Sequence, residues 1–170
     1  MNKYFKIFII TMAQTFVIMA AVYVFLFPIS IRGDSMQTTL YDGDRVLASR
    51  FMGRLGFYDT GAIVIFREVV NNKQRTMVKR VIAMENDEVV ISGGRVYVNK
   101  VPVPEEYISG YTEGSLTITV PKNCIFVMGD NREESFDSRQ YGSVEMQRVN
   151  AKVIAKIYPV RDFELYIKHE

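Results

Sequence analysis

A chain of 170 residues with a formal charge of +2 holds one ordinary domain, and a long apolar run at its N-terminus inflates the hydrophobic fraction of 48%. Lys3, Lys6 and Arg32 contribute +3 of that charge, so residues 33–170 carry −1 and give no reason to expect nucleic acid as a partner. One cysteine, Cys124, excludes an internal disulfide and a Cys-rich metal centre, and one histidine, the penultimate His169, argues against a His-ligated zinc site and a Ser-His-Asp or Cys-His catalytic arrangement. Any hydrolase built on this chain must take lysine or a carboxylate as its base.

From Ile7 to Ile31 there is no charged side chain, and Gln14 is the one strongly polar interruption. As a helix, Ile7–Phe27 spans about 31 Å, close to the thickness of bilayer hydrocarbon. Pro28 ends or kinks it, and Tyr23, Phe25 and Phe27 sit toward the far interface. A cleaved secretory signal also starts with positive charge, but its apolar core is usually only ~7–15 residues long. Phe27-Pro28-Ile29-Ser30-Ile31 offers no small-x-small cleavage site either. The expectation is a retained anchor over residues 7–31. Lys3, Lys6 and the terminal amine then leave residues 1–6 in the cytoplasm and place residues 32–170 outside it. No linker follows the anchor, so Ser35, in Gly33-Asp34-Ser35-Met36-Gln37-Thr38-Thr39-Leu40, is expected close to the membrane surface.

Beyond the anchor, short apolar or alternating runs replace helical periodicity: Arg45–Phe51, Ala62–Phe66, Thr76–Met84, Glu88–Ile91, Arg95–Val98, Leu116–Val120, Ile125–Met128 and Val153–Pro159. Gly93-Gly94 between two of them is a hairpin signal. The expected fold is mainly β, an antiparallel domain after a single N-terminal transmembrane helix. Pro102–Gly114 reads as a loop, and Cys124 as a small buried hydrophobe.

In the strand Thr76–Met84, alternation puts Met77, Lys79, Val81 and Ala83 on one face and Val78, Arg80, Ile82 and Met84 on the other. Lys79 thus sits among apolar neighbours. Burial lowers a lysine pKa, which a lysine base needs; a lysine snorkelling from an edge strand fits the same pattern. The segment Gly129–Gly142 concentrates carboxylates, arginines and hydroxyls after an apolar strand. Its spacing is not that of an EF-hand, and Arg132 and Arg139 oppose a cation site. Asp130 and Asp137 paired with Arg132 and Arg139 would fix the loop and present Ser135 or Ser138 from a rigid support.

Together these pieces resemble the type I signal peptidases, membrane-anchored Ser-Lys endopeptidases of peptidase family S26 that remove signal peptides from exported proteins. Ser35-Met36-Gln37-Thr38-Thr39-Leu40 is similar to the family's Ser-Met-x-Pro-Thr-Leu, and Asp59–Phe66 to a strand preceding the base. Lys79-Arg80-Val81-Ile82, followed by Asp87, is similar to its Lys-Arg-Val-Ile-Gly-x-Pro-Gly-Asp. Gly129–Gly142 keeps every fixed position of Gly-Asp-Asn-Arg-x-x-Ser-x-Asp-Ser-Arg-x-x-Gly. The resemblance implies Ser35 as nucleophile, Lys79 as general base, and Ser135 as a hydroxyl orienting the lysine amine. It implies Asp137 and Arg139 as a supporting ion pair, with Asp130 and Arg132 at fixed positions of the same box. Ile31, Met36, Leu40, Met77 and Val78 would line pockets for small P1 and P3 side chains. No cofactor or metal is implied. The implied partners are secretory precursors and the lipid bilayer, with an apolar surface around the site resting on the membrane.

Two departures stand out. Thr38 replaces a proline, and Ala83-Met84-Glu85-Asn86 replaces Gly-x-Pro-Gly, so both turns lose residues that fix backbone geometry. Gly33 stands where some relatives carry a serine that completes the oxyanion hole, which leaves the Ser35 N–H as the expected donor. A Ser-Lys protease with another substrate, or a non-catalytic membrane homologue, are the alternatives to signal-peptide cleavage.

Overall fold

Residues Lys3–Phe25 form one helix, α1, opened by the Asn2 side chain, which accepts from Tyr4 N–H. The Thr11 and Thr15 hydroxyls donate back to the carbonyls of Ile7 and Thr11, so these polar groups are satisfied inside the helix. α1 is long and apolar enough to cross a membrane, and none of its Lys3–Ala20 stretch is buried among the described residues. The computed structural model describes residues 2–70 and 72–166; His169 lies outside them.

The helix ends two residues before the expected Phe27, and the run assigned to the anchor up to Ile31 divides. Leu26–Ser30 form a strand, β1, paired antiparallel with β2 (Arg45–Ser49) from Leu26↔Ser49 to Ser30↔Arg45. Pro28 explains the change. It cannot continue a helix, and β1 is the sheet's edge strand, where a missing N–H is tolerated.

The remaining expected runs all form strands, in the expected order, joined by three two-residue strands that were not foreseen. They are β3 (Ile63–Val70), β4 (Lys73–Ala83), β5 (Glu88–Ser92), β6 (Arg95–Val98), β7 (Val101–Pro102), β8 (Leu116–Thr119), β9 (Cys124–Met128), β10 (Val144–Glu145), β11 (Val149–Tyr158) and β12 (Glu164–Leu165). Among the described residues the large antiparallel sheet runs β1-β2-β11-β3-β4-β9-β10 with β12 beside β11, and a smaller one runs β7-β6-β5-β8. The expected hairpin is present, with Ser92↔Arg95 closing around Gly93-Gly94. Two short helices, α2 (Arg50–Arg54) and α3 (Ser138–Tyr141), were not foreseen. α2 lies on β11 through Gly53, where a Cβ would fall 2.3 Å from Ala151 Cα.

The large sheet is buried on both faces at its centre. Ile63 and Ile65 point into a cluster with Ile31, Met36 and Leu40, while Val64 and Phe66 point into another with Val81 and Val127. A third cluster, around Ile82, Ile91 and Phe126, joins the large sheet to the small one. β4 contributes to all three. Met77 and Val81 pack with the second cluster and Val78 with the first, as alternation required.

Candidate active site

Ser35 sits in the turn after β1. Gln37 N–H donates to Asp34 O, Leu40 N–H donates to Met36 O, and the Gln37 amide reaches Asp34 Oδ1 at 2.7 Å. Met36 and Leu40 anchor the turn by burial in the first cluster. Gly33, at φ +86°, takes the left-handed conformation that turns the chain out of β1, and its N–H donates to Asp42. Thr38, in place of proline, follows a cis peptide and ties the turn outward, its hydroxyl donating to Tyr107 O at 2.9 Å. The Ser35 carbonyl accepts from Asn131 N–H at 3.1 Å, while the Ser35 N–H donates to no acceptor among the described residues.

Lys79 is 2% exposed on β4, opposite Val64. Burial lowers its pKa to about 8 from the ordinary 10.5; Asp137 and Asp130 oppose that shift, and Arg139 adds to it. No hydrogen bond to a described residue contributes. An amine in this state is partly neutral near pH 8, as a general base must be. Ser35 and Lys79 line one cleft of about 320 Å³, whose walls are the Ile29–Gly33 segment with Met36 on one side and Arg75–Val78 on the other.

The Gly129–Gly142 segment closes the site from behind. Asp137 is fully buried and gathers five donors. Its Oδ1 accepts from Arg139 Nε and Arg139 N–H, and its Oδ2 accepts from Gly129 N–H, Ser135 Oγ and Arg139 NH2. It also caps α3 in a reciprocal box with Gln140. The Ser135 hydroxyl donates to Asp137 at 2.7 Å, so only its lone pairs are left to meet the lysine amine. Gly129 brings the pieces together, because a Cβ there would fall 2.2 Å from Ser135 Oγ and 2.4 Å from Ser35 O. Ser138, the other hydroxyl considered, is spent in the scaffold, accepting from Val127 N–H.

The expected pairing of Asp137 with Arg139 is present at 2.9 Å, but Asp130 and Arg132 do not pair with each other. Asp130 takes a two-pronged contact from Arg80 (Nε to Oδ1 2.9 Å, NH2 to Oδ2 2.6 Å) and a 2.5 Å hydrogen bond from Thr39. Arg132 is instead buried with Glu105, Thr112 and the Gly129 carbonyl. The strand pleat turns Arg80 to the face opposite Lys79, where Asp130 supplies its countercharge. Sequence reasoning gave Arg80, Thr39 and Glu105 no role. The signal available was a charged residue inside an apolar strand, which demands a buried partner.

The expected pocket residues divide. Ile31, Met36, Met77 and Val78 line the cleft, whereas Leu40 is fully buried in the core cluster and does not reach it. Ile29, on the same strand edge, does line it and was not anticipated. The altered turn after Lys79 closes without glycine. Asn86 adopts φ +69°, and the Asp87 carboxylate accepts from Met84 N–H. Among the described residues no cluster of three or more His, Cys, Asp or Glu side chains is arranged to hold a metal ion.

The family described as "Signal peptidase, peptidase S26" matches residues 1–158. Signal peptidase IB of Staphylococcus aureus is 32% identical over an alignment covering 96% of this chain and 95% of its own. Signal peptidase I of Bacillus caldolyticus is 33% identical over 78% of this chain and 80% of its own. A crystal structure of a signal peptidase I from Enterococcus faecalis superposes with a TM-score of 0.47 at 26% identity, over 54% of this chain and 92% of that one. A match across nearly the whole chain, from α1 to the end of β11, makes this protein a member of the signal peptidase family, peptidase family S26.

Proposed function

We propose that Ser35 and Lys79 are the nucleophile and general base of an acyl-transfer endopeptidase that removes N-terminal signal peptides from exported precursors. The observation that carries this reading is a serine and a buried lysine, lowered to about 8, on the walls of one cleft. Neutral Lys79 takes the hydroxyl proton as Ser35 Oγ attacks the carbonyl after a small P1 residue. The free Ser35 N–H holds the developing oxyanion, a contribution of about 10²–10³ in rate per donor. The C–N bond breaks as Lys79 returns the proton to the leaving amine. Lys79 then activates water against the acyl-enzyme, and Ser35 regains its proton. Ser135, Asp137 and Arg139 support the lysine. No metal or cofactor is needed.

The substrate binds extended. On one side β4 pairs with β3 from Lys73 to Arg80, but on the other it pairs with β9 only from Arg80 onward. The edge of residues 75–79 is thus open to an added strand whose alternate side chains enter the cleft. Ile31, Met36, Met77 and Val78, with Ile29, shape pockets for small P1 and P3 residues. α1 is the membrane anchor, with Lys3 and Lys6 on the cytoplasmic side and the peptidase domain outside. Confining enzyme and precursor to one membrane raises their effective concentration without new contacts.

The test mixes the full chain in detergent with a secretory precursor and sequences the product N-terminus. Cleavage after a small residue, lost in Ser35→Ala and Lys79→Ala, is expected. The rate should rise about tenfold per pH unit up to a midpoint near 8. Retained cleavage in either variant, or a profile without that ascending limb, would refute the dyad.

A further inference from the structure

Where α1 meets the domain, three aromatic rings form a chain outside both the core and the cleft. Phe25 packs edge-on against Phe51 at 5.5 Å between centroids, and Phe51 lies 5.8 Å from Phe57. All three are about half exposed, as is Leu55. Tyr23, Phe25, Phe51 and Leu55 border a shallow depression of about 540 Å³ whose remaining walls are Arg50 and Arg54, and Phe57 adjoins it through the Phe51 ring. Neither arginine has a carboxylate within 4 Å among the described residues. The Arg50 guanidinium lies instead 3.8 Å above the Phe27 ring. This apolar surface with two uncompensated guanidinium groups has no part in the acyl transfer.

We propose that α2 and the Leu55–Phe57 turn form a docking site for anionic phospholipid, with acyl chains against the phenylalanines and the headgroup phosphate between Arg50 and Arg54. The rings continue the end of α1, at the level where hydrocarbon gives way to headgroups. Guanidinium is the side chain suited to phosphate there, being planar, weakly hydrated and always charged. A zwitterionic lipid leaves the pair of charges unmatched, whereas an anionic one compensates them. This inference rests on the reading of α1 as a membrane anchor.

The chain has no tryptophan, so single tryptophans report separate places. Full-length Phe57→Trp and Val17→Trp would be reconstituted in phosphatidylcholine vesicles containing phosphatidylglycerol, with bromine on the acyl chains of one lipid at a time. Quenching of Phe57→Trp is expected from both lipids. At equal mole fraction, phosphatidylglycerol should be favoured by about fivefold for each arginine engaged. Adding Arg50→Gln and Arg54→Gln should abolish the preference while quenching itself persists. Equal quenching by the two lipids, or a preference that survives the arginine substitutions, would overturn the site. Quenching at Val17→Trp but not at Phe57→Trp would overturn the site and leave the anchor standing. No quenching at Val17→Trp would overturn the anchor reading and this inference with it.

Discussion

Replacing Lys79 by methionine should remove activity and increase stability, and the gain should depend on pH. Lys79 is held at about 8 in the folded chain against an ordinary 10.5. Below pH 8 both folded and unfolded chains keep the proton, and the whole cost of burying an ammonium opposes folding. At about 1.4 kcal/mol per pH unit, the gap corresponds to about 3 kcal/mol. Between pH 8 and 10.5 the unfolded chain binds more protons than the folded one, so wild-type stability rises with pH and the cost disappears above 10.5. Methionine, a straight apolar chain of similar reach, has no proton to lose. Lys79→Met is therefore expected to exceed wild type by up to about 3 kcal/mol at pH 7, and by about 2 kcal/mol less at pH 9.5. Urea unfolding of both proteins in one detergent at the two pH values, beside a precursor-cleavage assay, measures this. A stability difference that is constant or growing with pH would refute the depressed lysine, whatever the activity.

Three other substitutions test the scaffold. Asp130→Ala leaves the Arg80 guanidinium buried without a countercharge and should cost about 3–5 kcal/mol by urea unfolding; the Arg80→Met/Asp130→Leu pair should recover part of it. Gly129→Ala places a methyl 2.2 Å from Ser135 Oγ and 2.4 Å from Ser35 O. Since about 1 Å of misplacement costs on the order of 10²-fold, kcat should fall by that order with KM far less changed, as steady-state kinetics would show. At Asn86, φ +69°, alanine should cost about 1 kcal/mol and glycine almost nothing in thermal unfolding, because only a Cβ without local hydrogen bonding is penalised there.

The order of strands was legible because each run is short, apolar or alternating, and bounded by turn residues. The alternation around Lys79 was enough to place it among Met77 and Val81. β1 was hidden, since Leu26–Ser30 is as apolar as the helix before it and only pairing with Arg45–Ser49 distinguishes it. Partners across the sheet order were hidden for a related reason. Nothing local to Asp130 says that its arginine is Arg80, fifty residues away, rather than Arg132, two residues away. Leu40 was misplaced because one apolar residue in a turn looks like another until the turn is folded against Val46 and Ile63. The altered turns close through other chemistry: asparagine takes the left-handed position, and Thr38 donates a hydrogen bond to Tyr107 O.

The passage from Phe25 directly into Leu26, with no residue between helix and sheet, has a mechanical consequence. A tethered domain would swing and sample many heights. Here five paired residues, roughly 17 Å of strand at about 3.4 Å each, stand between the helix end and the serine turn. β1 therefore works as a ruler, fixing how far from the end of α1 the hydroxyl of Ser35 is presented. With Ser35 as the proposed nucleophile, precursors that offer their scissile bond at another distance from the end of their own apolar segment would have to stretch or unwind to reach it.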